Sequence, residues 1–443
     1  MRKNILKILA TIIISAFCFC SEDFEYNTGV KLNFSSDTLK FDTVFTGEKS
    51  SIRYLKIFNN TDKNININTI HLENNDNQIH LNINGIETTS AENIVLRKND
   101  SIFVFAQAEL KNQDENYSLI NSLIVNTGGE NQRVIISAYA INVEKLNGTI
   151  NSDTTLPENK SYISHSVIKV AKDAKLTIKE GVNIYFSKES GIEIEGALNI
   201  EGTIDNPVKF QGIRTDKEYA EIPAQWRGIN FKEESQTSVI NYATIKNAQT
   251  ALSAFNNTNI TISNSKIENS FYNGIYLENT NSLIYNTLIH NCGYSCINIS
   301  GTGHYQILHC TLADYWNYNY RDKSALDCKG SNQNFNTLVA NSIIHGNRKN
   351  ETDISETTNI SFVNSLIKSD LTDNEKFTNC KFNLDPEFAN PDSANYKIKD
   401  SSPAVDMANY GMLMLYDFLE TDYYGNQRTE DDSPDAGFAE YIK

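Results

Sequence analysis

Six residues recurring at solenoid-like intervals carry the densest chemistry in this chain: Lys246, Glu268, His290, Asp314, His345 and Lys368. Stacked as one outward column, they would put Asp314 between His290 and His345, each step spanning about 5 Å. A carboxylate between two imidazoles can bind a divalent cation or exchange protons with a substrate. Arg321, a few residues on, could complete a catalytic group with His290, Asp314 and His345. The same column also reads as a solvated face of alternating charge.

The second concentration is Tyr315-Trp316-Asn317-Tyr318-Asn319-Tyr320-Arg321-Asp322-Lys323. Exposed aromatics on a loop suit a sugar face or a protein hot spot, which makes Tyr315, Trp316, Tyr318 and Tyr320 candidate ligand-binding residues. Alternatively, Trp316 and the tyrosines fold back as an apolar cover. Cys292, Cys296, His304, His309 and Cys310 superficially resemble a zinc set. Cys292 and Cys296, however, align with Ala248, Ser270, Ala251 and Gly274, which points to interior packing. Asp406, Asp417, Asp422 and Asp435 suit turns and caps better than calcium. No cofactor is indicated, and no phosphate loop, serine elbow or HExxH site appears.

Positioning these residues requires a repeat. Asn264-Ser265-Lys266-Ile267-Glu268-Asn269 matches segments starting at Asn286, Asn341 and Asn364, and Tyr242 and Cys310 open the same frame. The steps are 22, 22, 24, 31 and 23 residues. Apolar columns follow: Ile240, Ile262, Ile284, Leu308, Val339 and Phe362, then Ile245, Ile267, Ile289, Ala313, Ile344 and Ile367. A small-residue column of Ala251, Gly274, Cys296 and Ala325, with Asp353 the exception, precedes Leu252, Ile275, Ile297, Leu326 and Ile354. Each repeat is therefore one coil, stacked about 4.8 Å above the last. The chain holds 58 asparagines among 443 residues, and bends that require left-handed backbone account for many of them.

Residues 30–146 read instead as short alternating strands, with Asn84-Gly85 at a hairpin. Seven or eight strands at this spacing suggest an immunoglobulin-like sandwich. A polar linker is expected over 147–161, the coils over 162–380 and a terminating cap over 381–443.

The net charge is −16, so a nucleic-acid partner is excluded on the basic surface it would need. Arg2, Lys3 and Lys7 precede the apolar stretch Ile8 to Phe17, the pattern of an export signal over 1–19. An acidic tether would occupy 20–29. Five cysteines remain beyond it, and most read as small interior fillers.

Cys18-Phe19-Cys20-Ser21-Glu22-Asp23 resembles the lipidation site and acidic export run of Bacteroidota surface lipoproteins. The run Leu32 to Phe45, Trp226-Arg227-Gly228-Ile229-Asn230-Phe231, and C-terminal pieces such as Asp422-Tyr423-Tyr424-Gly425-Asn426 are similar to a family of these lipoproteins. The resemblance implies an all-β chain, an immunoglobulin-like sandwich followed by a right-handed parallel β-helix of pectate-lyase-like fold. It further implies an outer-membrane anchor through the lipid on Cys20, cell-surface exposure, a monomer, and binding to extracellular glycan or an envelope protein. Polysaccharide lyase or glycoside hydrolase activity, or a structural role in the outer membrane, are the other functions that such proteins host.

Overall fold

The computed structural model describes residues 26–442 except 218, 356, 372–374 and 431–432. The expected signal segment and Cys20 lie outside the described residues. The chain divides into two compact units at Asn142 and Val143.

In the first unit, alternation buries one side of each strand. Ile79–Ile83 and Ser101–Ala108 bury every second residue. One sheet runs through Asn64–Leu72, Tyr117–Asn126, Gln132–Ile141 and Thr38–Phe45. The other runs through Arg53–Phe58, Ser101–Ala108 and Ile79–Ile83. Their inward residues, among them Leu55, Val104, Ile67 and Ile136, form one core. Asn84 and Gly85 have φ of 52° and 88° at the tight turn between Ile79–Ile83 and Ile86–Glu87, the primed-turn geometry that Asn-Gly favours.

The second unit is a parallel solenoid. Three strands recur per coil, as in Asn259–Ser263, Lys266–Ser270 and Ile275–Glu278, and each pairs in parallel with its counterpart one coil later. Here the three ladders are named the Asn259, Lys266 and Ile275 ladders. The core runs along the axis, from Ile168 and Leu176 through stacked Phe186 and Trp226, whose rings lie 4.3 Å apart, to Phe362 and Ile367. Where a linker is expected, Gly148–Ile150 and Thr154–Leu156 already pair with Val167–Val170 and Lys175–Lys179. Parallel pairing to the next coil stabilises a segment whose own sequence shows no periodicity.

Asparagine supplies the bends. Among the described residues, sixteen of the 24 non-glycine residues with positive φ are Asn, the residue that tolerates this backbone best after glycine. Tyr242, Asn264, Asn286, His309, Asn341 and Asn364 hold one equivalent bend, with φ between 46° and 52°.

That list corrects the repeat frame. His309, not Cys310, takes the left-handed position, and the steps become 22, 22, 23, 32 and 23 residues. Cys310 falls in the small interior slot of Ser265 and Ser342, and its side chain is fully buried. Every column shifts by one in that coil. Ile307 and Leu312 face the core where Leu308 and Ala313 are expected, and Ala313 rather than Asp314 pairs with His290 and His345. One coil on, Glu351 occupies the small-residue column in place of Asp353, because Thr352 pairs with Leu326.

The C-terminal region is a strap along the flank of the coils. Asn364 Nδ2 donates to Met407 O, Asn286 Nδ2 to Thr421 O, and Gly437 N to Asn341 O. Leu308 and Ala340 pack beneath Leu413 and Leu419 of this strap, while Leu288, Ala313, Ile343 and Leu366 pack beneath Phe388, Tyr396 and Phe438.

Candidate functional site

Along the Lys266 ladder the strap covers the expected catalytic column. His290 is buried, its Nε2 3.0 Å from Glu268 Oε2, and its ring lies 4.9 Å from that of Tyr396. Burial works against ionised Glu268, but the His290 hydrogen bond, with the charges of His290, Lys246 and Lys266, outweighs it and holds the carboxyl at about 2. His345 stands two coils from His290 with Ala313 between them. Its Nδ1 meets the Tyr315 hydroxyl at 2.8 Å, and burial, aided by the Lys368 charge, lowers it to about 4. The two imidazoles therefore flank an alanine.

Asp314 and Arg321, expected in one group, do meet, but inside a buried knot that Glu351 closes. Arg321 donates to both carboxylate oxygens of Glu351 at 2.6 and 2.9 Å, to Asp314 O, to Asn347 Oδ1 and to Lys323 O. It also lies 3.3 Å from Asp314 Oδ2. Glu351 accepts further bonds from the N–H groups of Ala325 and Arg348. Glu351 and Asp314 are fully buried, and Arg321 is 4% exposed. Burial pushes the Asp314 carboxyl up to about 7, an effect that Arg321 only partly offsets. Through its two terminal nitrogens, Arg321 ties the loop to the coil.

Trp316 takes the inward of its two expected positions. It is 2% exposed, donates to Asn319 Oδ1 at 2.8 Å and meets Phe271 edge-on at 6.5 Å. Gly293 makes this seat: a Cβ there would stand 2.1 Å from Phe271 O and 3.0 Å from the Trp316 ring. Tyr315 packs under the strap, stacked on Tyr396. Tyr318 and Tyr320 remain open, at 47% and 86% exposure.

Tyr318 extends a shelf of rings. Tyr272 and Tyr294 occupy the same position on successive coils, with Tyr294 N donating to Tyr272 O and ring centroids 5.0 Å apart. Phe271 joins Tyr272 to Trp316, and Trp316 joins Tyr318 at 4.9 Å. An excursion between Val208–Gly212 and Ile229–Phe231 borders the shelf. Its Glu221 carbonyl accepts the Tyr318 hydroxyl, and its Glu221 carboxylate takes Lys246 and Asn269. The signal for Tyr272 and Tyr294 was present in the sequence: each stands two residues after the small interior slot, Ser270 or Cys292, at the 22-residue interval.

A second open feature lies on the Ile275 ladder. Outward residues pair down the coils as Ser253, Tyr276, Asn298, Asp327 and Asp353. Lys329 lies 3.4 Å from Asp327 and 2.7 Å from Asp353. Burial raises the Asp327 carboxyl above its ordinary value and the Asp353 charge adds to this, while Lys329 opposes. Asp353 is 46% exposed at its side chain. Two carboxyls in register with unlike surroundings are the arrangement that separates an acid from a base.

All five described cysteines are free thiols, and four are buried. Among the described residues no group of three or more His, Cys, Asp or Glu is placed to hold a metal ion. No helix among them is long and apolar enough to cross a membrane.

No protein-family model matches the sequence, and no curated protein matches it. Among solved structures, it is similar to a family 123 glycoside hydrolase from Clostridium perfringens, described for glycolipid glycan hydrolysis. The identity is 11% and the TM-score 0.20, over 25% of this chain and 27% of that one. A likeness of that extent carries neither fold nor activity.

Proposed function

We propose that this chain is an outer-membrane lipoprotein, anchored through Cys20 and exposed at the cell surface, whose solenoid binds extracellular glycan. In this reading the first unit is an immunoglobulin-like spacer and the coils form a right-handed β-helix, the hand that parallel crossovers nearly always take. The observation that carries glycan binding is the shelf of Tyr272, Tyr294 and Tyr318, with exposed Tyr320 on the same loop. Tyrosine rings offer rigid apolar faces to sugar C–H groups and hydroxyls to sugar oxygens, with little side-chain entropy to lose.

The test is retardation in native gels containing polysaccharides, together with a pull-down from envelope extracts. Tyr272→Ala with Tyr294→Ala should weaken retardation by at least one polysaccharide while the thermal midpoint holds. Unchanged retardation would remove the shelf from the reading, and specific capture of one envelope protein would replace glycan as the partner.

Asp327 and Asp353 support a second reading, glycoside hydrolysis with Asp327 as the proton donor. New reducing ends from a polysaccharide panel, lost in Asp327→Asn, would establish it. In either reading Asp314 and Arg321 hold the loop, and they do not touch ligand.

A further inference from the structure

On the Asn259 ladder, away from both features above, lies a groove of about 480 Å³. Its rim is one outward column, Asn259, Asn281, His304 and Asn336, in which Asn259 pairs with Asn281, His304 N donates to Asn281 Oδ1, and His304 pairs with Asn336. Its floor is the neighbouring outward column, Thr261, Leu283, Gln306 and Leu338. The strap closes one side: Leu283 and Leu338 pack against its apolar cluster, and Gln306 Nε2 donates to the Tyr416 hydroxyl at 3.1 Å. From Thr237 to Asn336 the lining spans five coils, a length of about 19 Å at the usual strand spacing.

The lining selects a ligand class. It holds no Asp, Glu, Lys or Arg; its titratable side chains are His304 and the buried phenol of Tyr305, whose pKa burial raises. Asn281 Nδ2 donates to Asn259 Oδ1, and Asn281 Oδ1 accepts from His304 N, so this part of the rim is held rigid. Among the described residues the His304 ring and the Asn336 side-chain amide have no hydrogen-bond partner, and both face outward on exposed residues. Amides and imidazole offer donors and acceptors in equal measure, which suits hydroxyl groups. An extended peptide would need an open backbone edge, but the strand backbone here is spent in pairing from coil to coil. Leu283 and Leu338 give a partly apolar floor of the kind that sugar C–H faces cover.

We infer that this groove is a binding site for a neutral, extended oligosaccharide lying along the solenoid axis, separate from the tyrosine shelf and not dependent on it. The full chain is tested by gel retardation in mannan, xyloglucan and dextran, with polygalacturonate and heparin as anionic controls and a random extended-peptide library as a third arm. Thr261→Trp fills the groove, and His304→Ala with Asn336→Ala removes its free polar groups. Both should weaken retardation by at least one neutral polymer about tenfold, or roughly 1.4 kcal/mol. The Tyr272→Ala, Tyr294→Ala protein should keep that component. The inference is overturned if no neutral polymer retards the chain. It is also overturned if the groove variants behave as the parent, or if only anionic polymers or peptides respond to them. Loss of retardation in the shelf variant alone would support the shelf and remove the groove.

Discussion

Arg321 between Asp314 and Glu351, and Lys329 between Asp327 and Asp353, are the same three charges on neighbouring coils: an acid on either side of a base. In the first group all three side chains are at most 2% exposed, and the guanidinium is committed to carboxylates, carbonyls and an amide. In the second, Lys329 is 50% and Asp353 46% exposed at the side chain, while Asp327 is 6% exposed. The chemical inventory is nearly alike, yet one group is a closed clamp and the other opens to water through Lys329 and Asp353. Coverage by the loop, rather than residue type, separates them.

The largest test of that contrast is Arg321→Met. It leaves Asp314 and Glu351 buried without their cation, and breaking a buried pair costs about 3–5 kcal/mol. Denaturant unfolding should show that loss together with an early release of Trp316, read by fluorescence. A loss of under about 1 kcal/mol would mean the clamp is solvated, in the range of exposed pairs.

An intermediate effect is expected in the pH dependence. Asp314 titrates at about 7 when folded against an ordinary value of 3.8, so the folded chain keeps a proton that the unfolded chain releases. Its contribution to stability is fully present below the unfolded value and is lost as pH rises through about 7. Relative to Asp314→Asn, the parent should therefore lose stability between about pH 4 and 7. A difference between the two that stays flat with pH would overturn this.

The smallest effect belongs to Lys329→Ala. An exposed bridge of this kind contributes about 0–1 kcal/mol, so thermal stability should barely move. A large drop would place Lys329 in the same class as Arg321 and end the comparison.

Much of the solenoid was legible in the sequence because its rules are local. Asn264, Asn286, Asn341 and Asn364 mark a left-handed bend, and Ile245, Ile267, Ile289, Ile344 and Ile367 mark a core column, both readable within one repeat. The frame slipped at His309 because asparagine was used as the marker, while the backbone there accepts histidine with φ of 47°. That one-residue error moved Asp314 into an outward column. It also hid Glu351, which sits where the preceding coils carry Ala251, Gly274, Cys296 and Ala325.

The candidate site was legible only in part. Tyr318 and Tyr320 are open as expected, whereas Trp316 covers the coil. Tyr272 and Tyr294 were missed because aromatic residues were sought in the irregular loop and not in the repeat.

The coil period, the bends and the inward columns follow from local sequence pattern, since backbone preference and alternation act over a few residues. Which outward faces stay open depends instead on contacts between residues far apart in the chain. His290 is closed by Tyr396, more than a hundred residues later, Leu308 by Leu413 and Leu419, and Asp314 by Arg321 and Glu351. Whether a charge meets water depends on what the rest of the chain lays over it, and desolvation then determines whether that charge serves as a clamp or a contact.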